Sequence, residues 1–314
     1  MNIKKTKGLL AATFSTFSEN GDLDIELISQ VVEKLISNGV TGVFVGGTNG
    51  EGLNMTLEER MKITEAYIKA ADKRILVFIH VGHNSIREAK KLAAHAQSCG
   101  ADAISSAATF YFKPSSAQVL ANCMAEIAAA APGLPFYYYH MPAATGVHIN
   151  VLEFLKLAEK QIPNLAGVKY TANTLHEYQS CLEYANHKFD VLFGYDELLL
   201  SALAVGAKGA IGSTYTFAAP IYTEIIKAFE NKDLDRARQL QSLAIQMISC
   251  LPKYGSIPAQ KAILSLLGTD LGPCRLPLVT LKDAEKTAIK EFLQSFGFFE
   301  KLEALSQEKV ESEI

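Results

Sequence analysis

Lys169 ends the run Leu165–Ala166–Gly167–Val168–Lys169–Tyr170–Thr171, which reads as a short apolar strand terminating on an amine. Lysine is rarely buried without a reason. Desolvation lowers an ammonium pKa, and the neutral amine that results attacks a ketone to form a Schiff base. A second strand-like run, Pro135–Phe136–Tyr137–Tyr138–Tyr139, ends on a tyrosine just before His140–Met141–Pro142. Alternation puts Tyr137 and Tyr139 on one face and Tyr138 on the other. Tyr139, last in the run, is the best placed of the three for proton transfer. A third run, Val43–Phe44–Val45–Gly46–Gly47, leads into Thr48–Asn49–Gly50–Glu51. Its glycines let backbone N–H groups approach an anion, and Thr48 and Asn49 add side-chain donors suited to a carboxylate. These three strand ends are expected to meet in one pocket.

Each motif has a plainer reading. Lys169 would otherwise be a paired or snorkelling lysine, the glycine run a tight turn, and Tyr139 a core aromatic. Asp196–Glu197 reads equally as a helix cap with a dipole-complementing glutamate or as a carboxylate pair gripping sugar hydroxyls. His80 and His83 read as structural residues. A pyridoxal lysine also fits Lys169, but no Gly-rich phosphate cup accompanies it.

The elements that must position these groups follow from the apolar pattern. Strands are expected at Gly8–Phe14, Gly42–Gly47, Ile75–Val81, Ala103–Ala107, Pro135–Tyr139, Leu165–Tyr170, Asp190–Gly194 and Gly209–Ser213. Helical spacing follows each, as in Leu23–Ser37, stopped by Asn38–Gly39, and Leu57–Ala71, opened by Thr56 with Glu59 as a capping box. Further helices are expected over Ser85–Ser98, Ser116–Ala131, Val151–Gln161 and Thr174–Ala185, over a short segment capped by Asp196, and from about Ala218 to Asn231. Eight such units close most economically into a (β/α)8 TIM barrel, over residues 1–231. A doubly wound sheet would call for a Gly-rich loop after the first strand, where Thr13–Phe14–Ser15–Thr16 stands instead. Residues 232–314 read as a C-terminal helical extension packed on the barrel. Its helices are Leu234–Leu251, Ala259–Leu267 and Asp283–Phe296, with turns at Lys253–Pro258 and Thr269–Pro277, and Glu308–Ile314 is expected to fray.

With 49% hydrophobic and 20% charged residues in 314, the chain has enough apolar content to bury a full core. A net charge of −3 with scattered basic residues gives no nucleic-acid footprint. No apolar run approaches membrane-spanning length, and the basic start lacks the apolar core of a signal peptide. The five cysteines Cys99, Cys123, Cys181, Cys250 and Cys274 show no metal or redox spacing and read as free thiols in a reducing cytoplasm.

Gly47–Thr48–Asn49–Gly50–Glu51, Tyr139–His140–Met141–Pro142, Gly167–Val168–Lys169, Gly194–Tyr195–Asp196–Glu197 and Gly212–Ser213–Thr214–Tyr215 together resemble the pyruvate-dependent class I lyase and aldolase superfamily, over essentially the whole chain. Within it the chain looks like the branch that cleaves sialic acid (N-acetylneuraminate) to N-acetylmannosamine and pyruvate. The resemblance implies that Lys169 forms the Schiff base and Tyr139 shuttles protons. It implies that Thr48 and Asn49 bind the carboxylate, Asn49 standing where the family more often has a hydroxyl residue. Thr171, Gly194, Asp196, Glu197 and Ser213 would contact the sugar portion. Tyr111 matches a loop tyrosine that supports a neighbouring subunit's site, and a homotetramer is implied. Dihydrodipicolinate synthases carry an arginine just after Tyr-x-x-Pro. Here Pro142 is followed by Ala143–Ala144–Thr145–Gly146, which favours a neutral polyhydroxylated partner. The expected chemistry needs no cofactor and no metal, since the protonated imine takes the place of a Lewis acid. A lyase for another 2-keto-3-deoxy sugar acid, a dihydrodipicolinate synthase-like enzyme and a non-catalytic sensor on a barrel scaffold are the rivals.

Overall fold

A computed structural model describes the backbone of residues 3–312 and, within it, the side chains of residues 3–307. Eight parallel strands form a closed barrel: β1 (Gly8–Ala12), β2 (Gly42–Val45), β3 (Leu76–His80), β4 (Ala103–Ala107), β5 (Phe136–His140), β6 (Leu165–Tyr170), β7 (Asp190–Phe193) and β8 (Gly209–Gly212), with β8 pairing back on β1. A helix follows each strand, and further helices follow the barrel.

The period of two along each strand sorts side chains into two apolar bodies. Leu10, Phe44, Tyr137, Tyr139, Leu192 and Ile211 fill the barrel interior. Tyr138 points outward and packs on Phe154, ring centroids 4.6 Å apart, in the layer between strands and helices. The register pairs Tyr139 of β5 with Lys169 of β6. The proposed proton shuttle and nucleophile are therefore neighbours at one level of the barrel.

Local chemistry sets the helix starts. Thr56 and Glu59 form the expected capping box on Leu57–Ala71. Ser85, Ser116 and Asn150 each accept the third backbone N–H of their helices. The differences from the sequence reading lie where side chains compete with pattern. The first helix begins at Ile28 rather than Leu23, because Leu23 is held in an antiparallel bridge to Phe17. Asp196 makes no cap: its carboxylate turns inward to Thr214, leaving a short 3-10 turn at Asp196–Leu198 before Leu199–Ala204. The helix after β8 starts at Tyr215, with Pro220 accommodated by non-helical backbone at Ala218.

Beyond the barrel, Leu234–Ile248 is followed by Leu251–Tyr254, Ser256–Leu266, Asp283–Gln294 and Phe298–Ser312. The turn expected over Lys253–Pro258 is largely helical, since Pro258 falls in a first turn that needs no N–H from it. Of the segment expected to fray, residues up to Ser312 continue the last helix, and 313–314 lie outside the described residues. Among the described residues no helix is long and apolar enough to cross a membrane.

Candidate active site

Lys169 and Tyr139 rise from adjacent strands toward the C-terminal mouth of the barrel, each only 4% exposed. Lys169 Nζ sits 3.8 Å above the Phe44 ring centroid and 4.1 Å from that of Tyr139. Burial between these rings pulls its pKa down to about 7, while the charge of Asp196 opposes the fall. The amine is thus substantially neutral near pH 7, the form that attacks a carbonyl.

Tyr139 has the opposite problem. Burial pushes its phenol up to about 12, with the Thr48 hydroxyl pulling it back. Its OH lies 3.5 Å from Thr48 Oγ1 and 2.9 Å from Met141 Sδ. Phe44 and His80 pack against the phenol ring edge to face, centroids 5.5 Å and 5.7 Å away. His80 is neutral: burial, helped by Arg60 and Lys169, depresses it to about 3. Its Nε2 accepts the Ala107 N–H, so Nδ1 carries the proton and donates to Gly46 O, 3.2 Å away. His80 therefore ties the β2 turn to β4 beneath Tyr139. His83 accepts the Ser85 N–H, a local turn contact.

The carboxylates act differently from each other. Asp196 is buried, and its Oδ2 accepts from Thr214 N (2.9 Å), Thr214 Oγ1 (2.6 Å) and Ser213 Oγ (3.4 Å). Burial raises it to about 6, against the pull of the Thr214 bonds. Glu197 is half-buried and lines the same cavity. Two glycines make the approach possible. A Cβ on Gly212 would lie 1.9 Å from Asp196 Oδ1, and one on Gly194 would lie 2.0 Å from Thr171 Oγ1. Thr171 Oγ1 is buried in the pocket wall without a well-formed hydrogen bond, and its hydroxyl, like that of Thr48, draws the Tyr139 phenol down.

A cavity of about 220 Å³ brings together Lys169, Tyr139, Thr48, Asn49, Thr171, Gly194, Asp196, Glu197 and Ser213. All of these were singled out in the sequence. Tyr111 is not among them: it is 77% exposed and stacks edge-on against Phe112, 83% exposed. A second, mostly apolar cavity of about 290 Å³ shares Thr48, Tyr139 and Met141 and extends toward Leu53 and Phe110.

Sequence reasoning gave no role to seven residues that build the site. Phe44 supplies the platform under Lys169, Met141 contacts the Tyr139 hydroxyl, and Thr214 holds Asp196. Ile248, Leu251, Pro252 and Ser256 of the helical extension form part of the cavity wall. Met141 and Thr214 stand inside motifs already noted, so their position beside Tyr139 and Ser213 was a usable signal. Nothing local in the sequence places residues 248–256 over the barrel mouth.

The turn after β2 is anchored from the same extension. Glu51, fully buried in left-handed backbone, accepts the Arg275 N–H at 2.9 Å and lies 3.6 Å from Lys261 Nζ. That ion pair is too long to be a hydrogen bond, and Glu51 Oε1 has no hydrogen-bond partner. Lys261 donates to Pro273 O at 2.7 Å, and burial lowers its pKa despite the Glu51 charge.

Residues 5–296 match the model of the dihydrodipicolinate synthetase family. The chain belongs to this family. It is 42% identical over 280 residues to the N-acetylneuraminate lyase of Homo sapiens, covering 88% of each chain. It also superposes on solved structures of N-acetylneuraminate lyases. One, from Aliivibrio salmonicida, has a TM-score of 0.92 at 40% identity, covering 94% of this chain and 98% of that one. Another, from Proteus mirabilis, has a TM-score of 0.92 at 36% identity, covering 94% and 100%. In this member of the family the second residue of the Thr48–Asn49 pair carries an amide, and the turn after Tyr139–His140–Met141 is a short helix, Pro142–Thr145, without a basic residue.

Proposed function

We propose that the protein is an N-acetylneuraminate lyase, cleaving sialic acid reversibly to N-acetylmannosamine and pyruvate through a Schiff base on Lys169. One observation carries the reading: a desolvated lysine, paired in register with Tyr139, faces a cavity rimmed by hydroxyls and carboxylates. The names of its relatives support the same substrate.

In this reading Thr48, Asn49 and the turn's backbone N–H groups hold the substrate carboxylate. The neutral Lys169 amine adds to C2 of the open-chain sugar acid, and loss of water leaves a protonated imine. Removal of the C4 hydroxyl proton then breaks the C3–C4 bond. Its electrons pass into the iminium to give an enamine, and N-acetylmannosamine leaves as the aldehyde. Tyr139, protonated at rest, passes its own proton to the substrate carboxylate as it takes the new one. Protonation of the enamine at C3 and hydrolysis of the imine release pyruvate and regenerate the amine. Asp196, Glu197, Ser213 and Thr171 grip the polyhydroxyl chain, with Gly194 leaving it room.

The same reading makes the protein a cytoplasmic homotetramer, with residues 1–231 as catalytic barrel and 232–314 as helical extension. The unpaired state of all five cysteines supports the compartment. The exposed Tyr111–Phe112 pair supports a surface that meets another subunit. Pyruvate release from N-acetylneuraminate, with Lys169→Ala as control, tests the assignment. Release by the wild type and none by the variant is the expected result. Release by both would remove Lys169 as nucleophile. If neither releases pyruvate, borohydride reduction with pyruvate decides. A Lys169 adduct keeps the lyase class and changes the sugar acid, and its absence leaves a non-catalytic sensor.

A further inference from the structure

On the outer helix ring, the helices Leu57–Ala71 and Ile86–Cys99 bring three unlike ligating groups together. His95 and Cys99 stand four residues apart, on one face of their helix. Glu65 reaches them from the neighbouring helix. One ligand atom from each lies within 4.8 Å of the others. His95 Nε2 is 2.9 Å from Glu65 Oε1 and 3.5 Å from Cys99 Sγ. Glu65 is exposed, while His95 and Cys99 are half-buried, so a solvent-facing side remains for a further ligand.

We infer that Glu65, His95 and Cys99 form a binding site for a thiophilic divalent cation of the zinc class. Around a tetrahedral zinc with usual bond lengths, a histidine nitrogen and a thiolate sulfur stand about 3.6 Å apart, and a nitrogen and a carboxylate oxygen about 3.3 Å. The His95–Cys99 spacing is already of that size, but Sγ rests against the ring, 3.8 Å from Nδ1 as well, so the thiol swings toward the Nε2 lone pair on binding, and the second spacing opens by a few tenths of an ångström as the His95–Glu65 hydrogen bond gives way. A set containing sulfur and imidazole nitrogen discriminates against calcium and magnesium, which take oxygen ligands. Three protein ligands leave the fourth position to water. Coordination exchanges protons for the cation: the thiol proton goes to solvent, and any proton on His95 Nε2 moves through solvent to Nδ1. The site is built from helices outside the barrel mouth and uses none of the residues assigned to catalysis, so it stands or falls separately from the proposed reaction.

Cobalt(II) titration of the purified, metal-stripped protein tests it. One equivalent per chain is expected, with a thiolate-to-cobalt charge-transfer band and the strong visible bands of four-coordinate cobalt, both erased by zinc. Cys99→Ser abolishes the charge-transfer band while retaining the wild-type far-UV circular dichroism. His95→Gln, which leaves the thiol in place, weakens binding by more than the roughly 10–100-fold that loss of an outer-sphere partner brings. Absence of the charge-transfer band at saturating cobalt, its survival in Cys99→Ser, or an unchanged affinity in His95→Gln overturns the proposal.

Discussion

The amine of Lys169 sets a pH dependence that can be worked out in advance. Its pKa falls from the ordinary 10.5 to about 7 through burial. At about 1.4 kcal/mol per pH unit, that is roughly 5 kcal/mol of destabilisation of the ammonium form. At pH 7 about half of the chains carry a neutral amine, against about one in three thousand for an unperturbed lysine. kcat/KM for pyruvate release, followed against pH, reports ionisations of the free enzyme. The ascending limb is expected near pH 7, with roughly a tenfold loss for each unit below it. Asp196, raised to about 6, titrates just beneath and opposes the drop in Lys169, so the limb belongs to the coupled pair. Replacing Asp196 by Asn removes a charge that favours the ammonium. The limb must then move to lower pH, whatever happens to the absolute rate. A limb above pH 9, or one that Asp196→Asn moves upward, would refute the desolvation argument.

Other outcomes follow from the same geometry. Tyr139→Phe is expected to lower kcat by roughly two to four orders of magnitude while leaving the borohydride-trapped pyruvate adduct intact, because only proton transfer is lost; an unchanged kcat would remove its role. Thr214→Val takes one hydroxyl donor from the buried Asp196 carboxylate. About 1–3 kcal/mol of stability should go with it, read as the denaturant midpoint, and KM for the sugar acid should rise. Lys261→Met leaves the Glu51 carboxylate buried and uncompensated. Loss of about 3–5 kcal/mol is expected in urea unfolding, and a loss below about 1 kcal/mol would show that the pair contributes little.

The barrel was legible because each strand–helix unit carried its own signals. Thr56 with Glu59, and Asn38–Gly39, are local instructions, and the alternation through Tyr137–Tyr138–Tyr139 fixed which faces look inward. Lys169 and Tyr139 were legible for the same reason: a lysine ending an apolar strand is a local anomaly. What escaped was side-chain choice among distant partners. Asp196 has the type and place of a helix cap, yet its carboxylate bonds Thr214, which is brought close only when β7 and β8 pair. Phe44 reads as core until the barrel closes and sets the Lys169 amine over its ring.

The helical extension belongs to the site as much as the strands do. Its residues wall the cavity from Ile248 to Ser256, opposite the strand ends. It also governs the turn that carries Thr48 and Asn49. Glu51 is held in a left-handed conformation that an unbranched acidic residue adopts only with support. That support comes from Arg275 N–H and the Lys261 ammonium, both of the extension. The Arg275 side chain adds a second clasp, bonding Glu59 at 2.7 Å and the Gly21 carbonyl at 2.8 Å, while its guanidinium lies 4.3 Å over the Phe17 ring. The loops after β1 and β2 are thereby fixed against one segment, Pro273–Arg275. In the carboxylate-binding role proposed for Thr48 and Asn49, the turn gains affinity when its geometry is set before the ligand arrives. A barrel alone leaves such a turn free at its rim, whereas here a buried charge pair and a stacked guanidinium set it in place from outside.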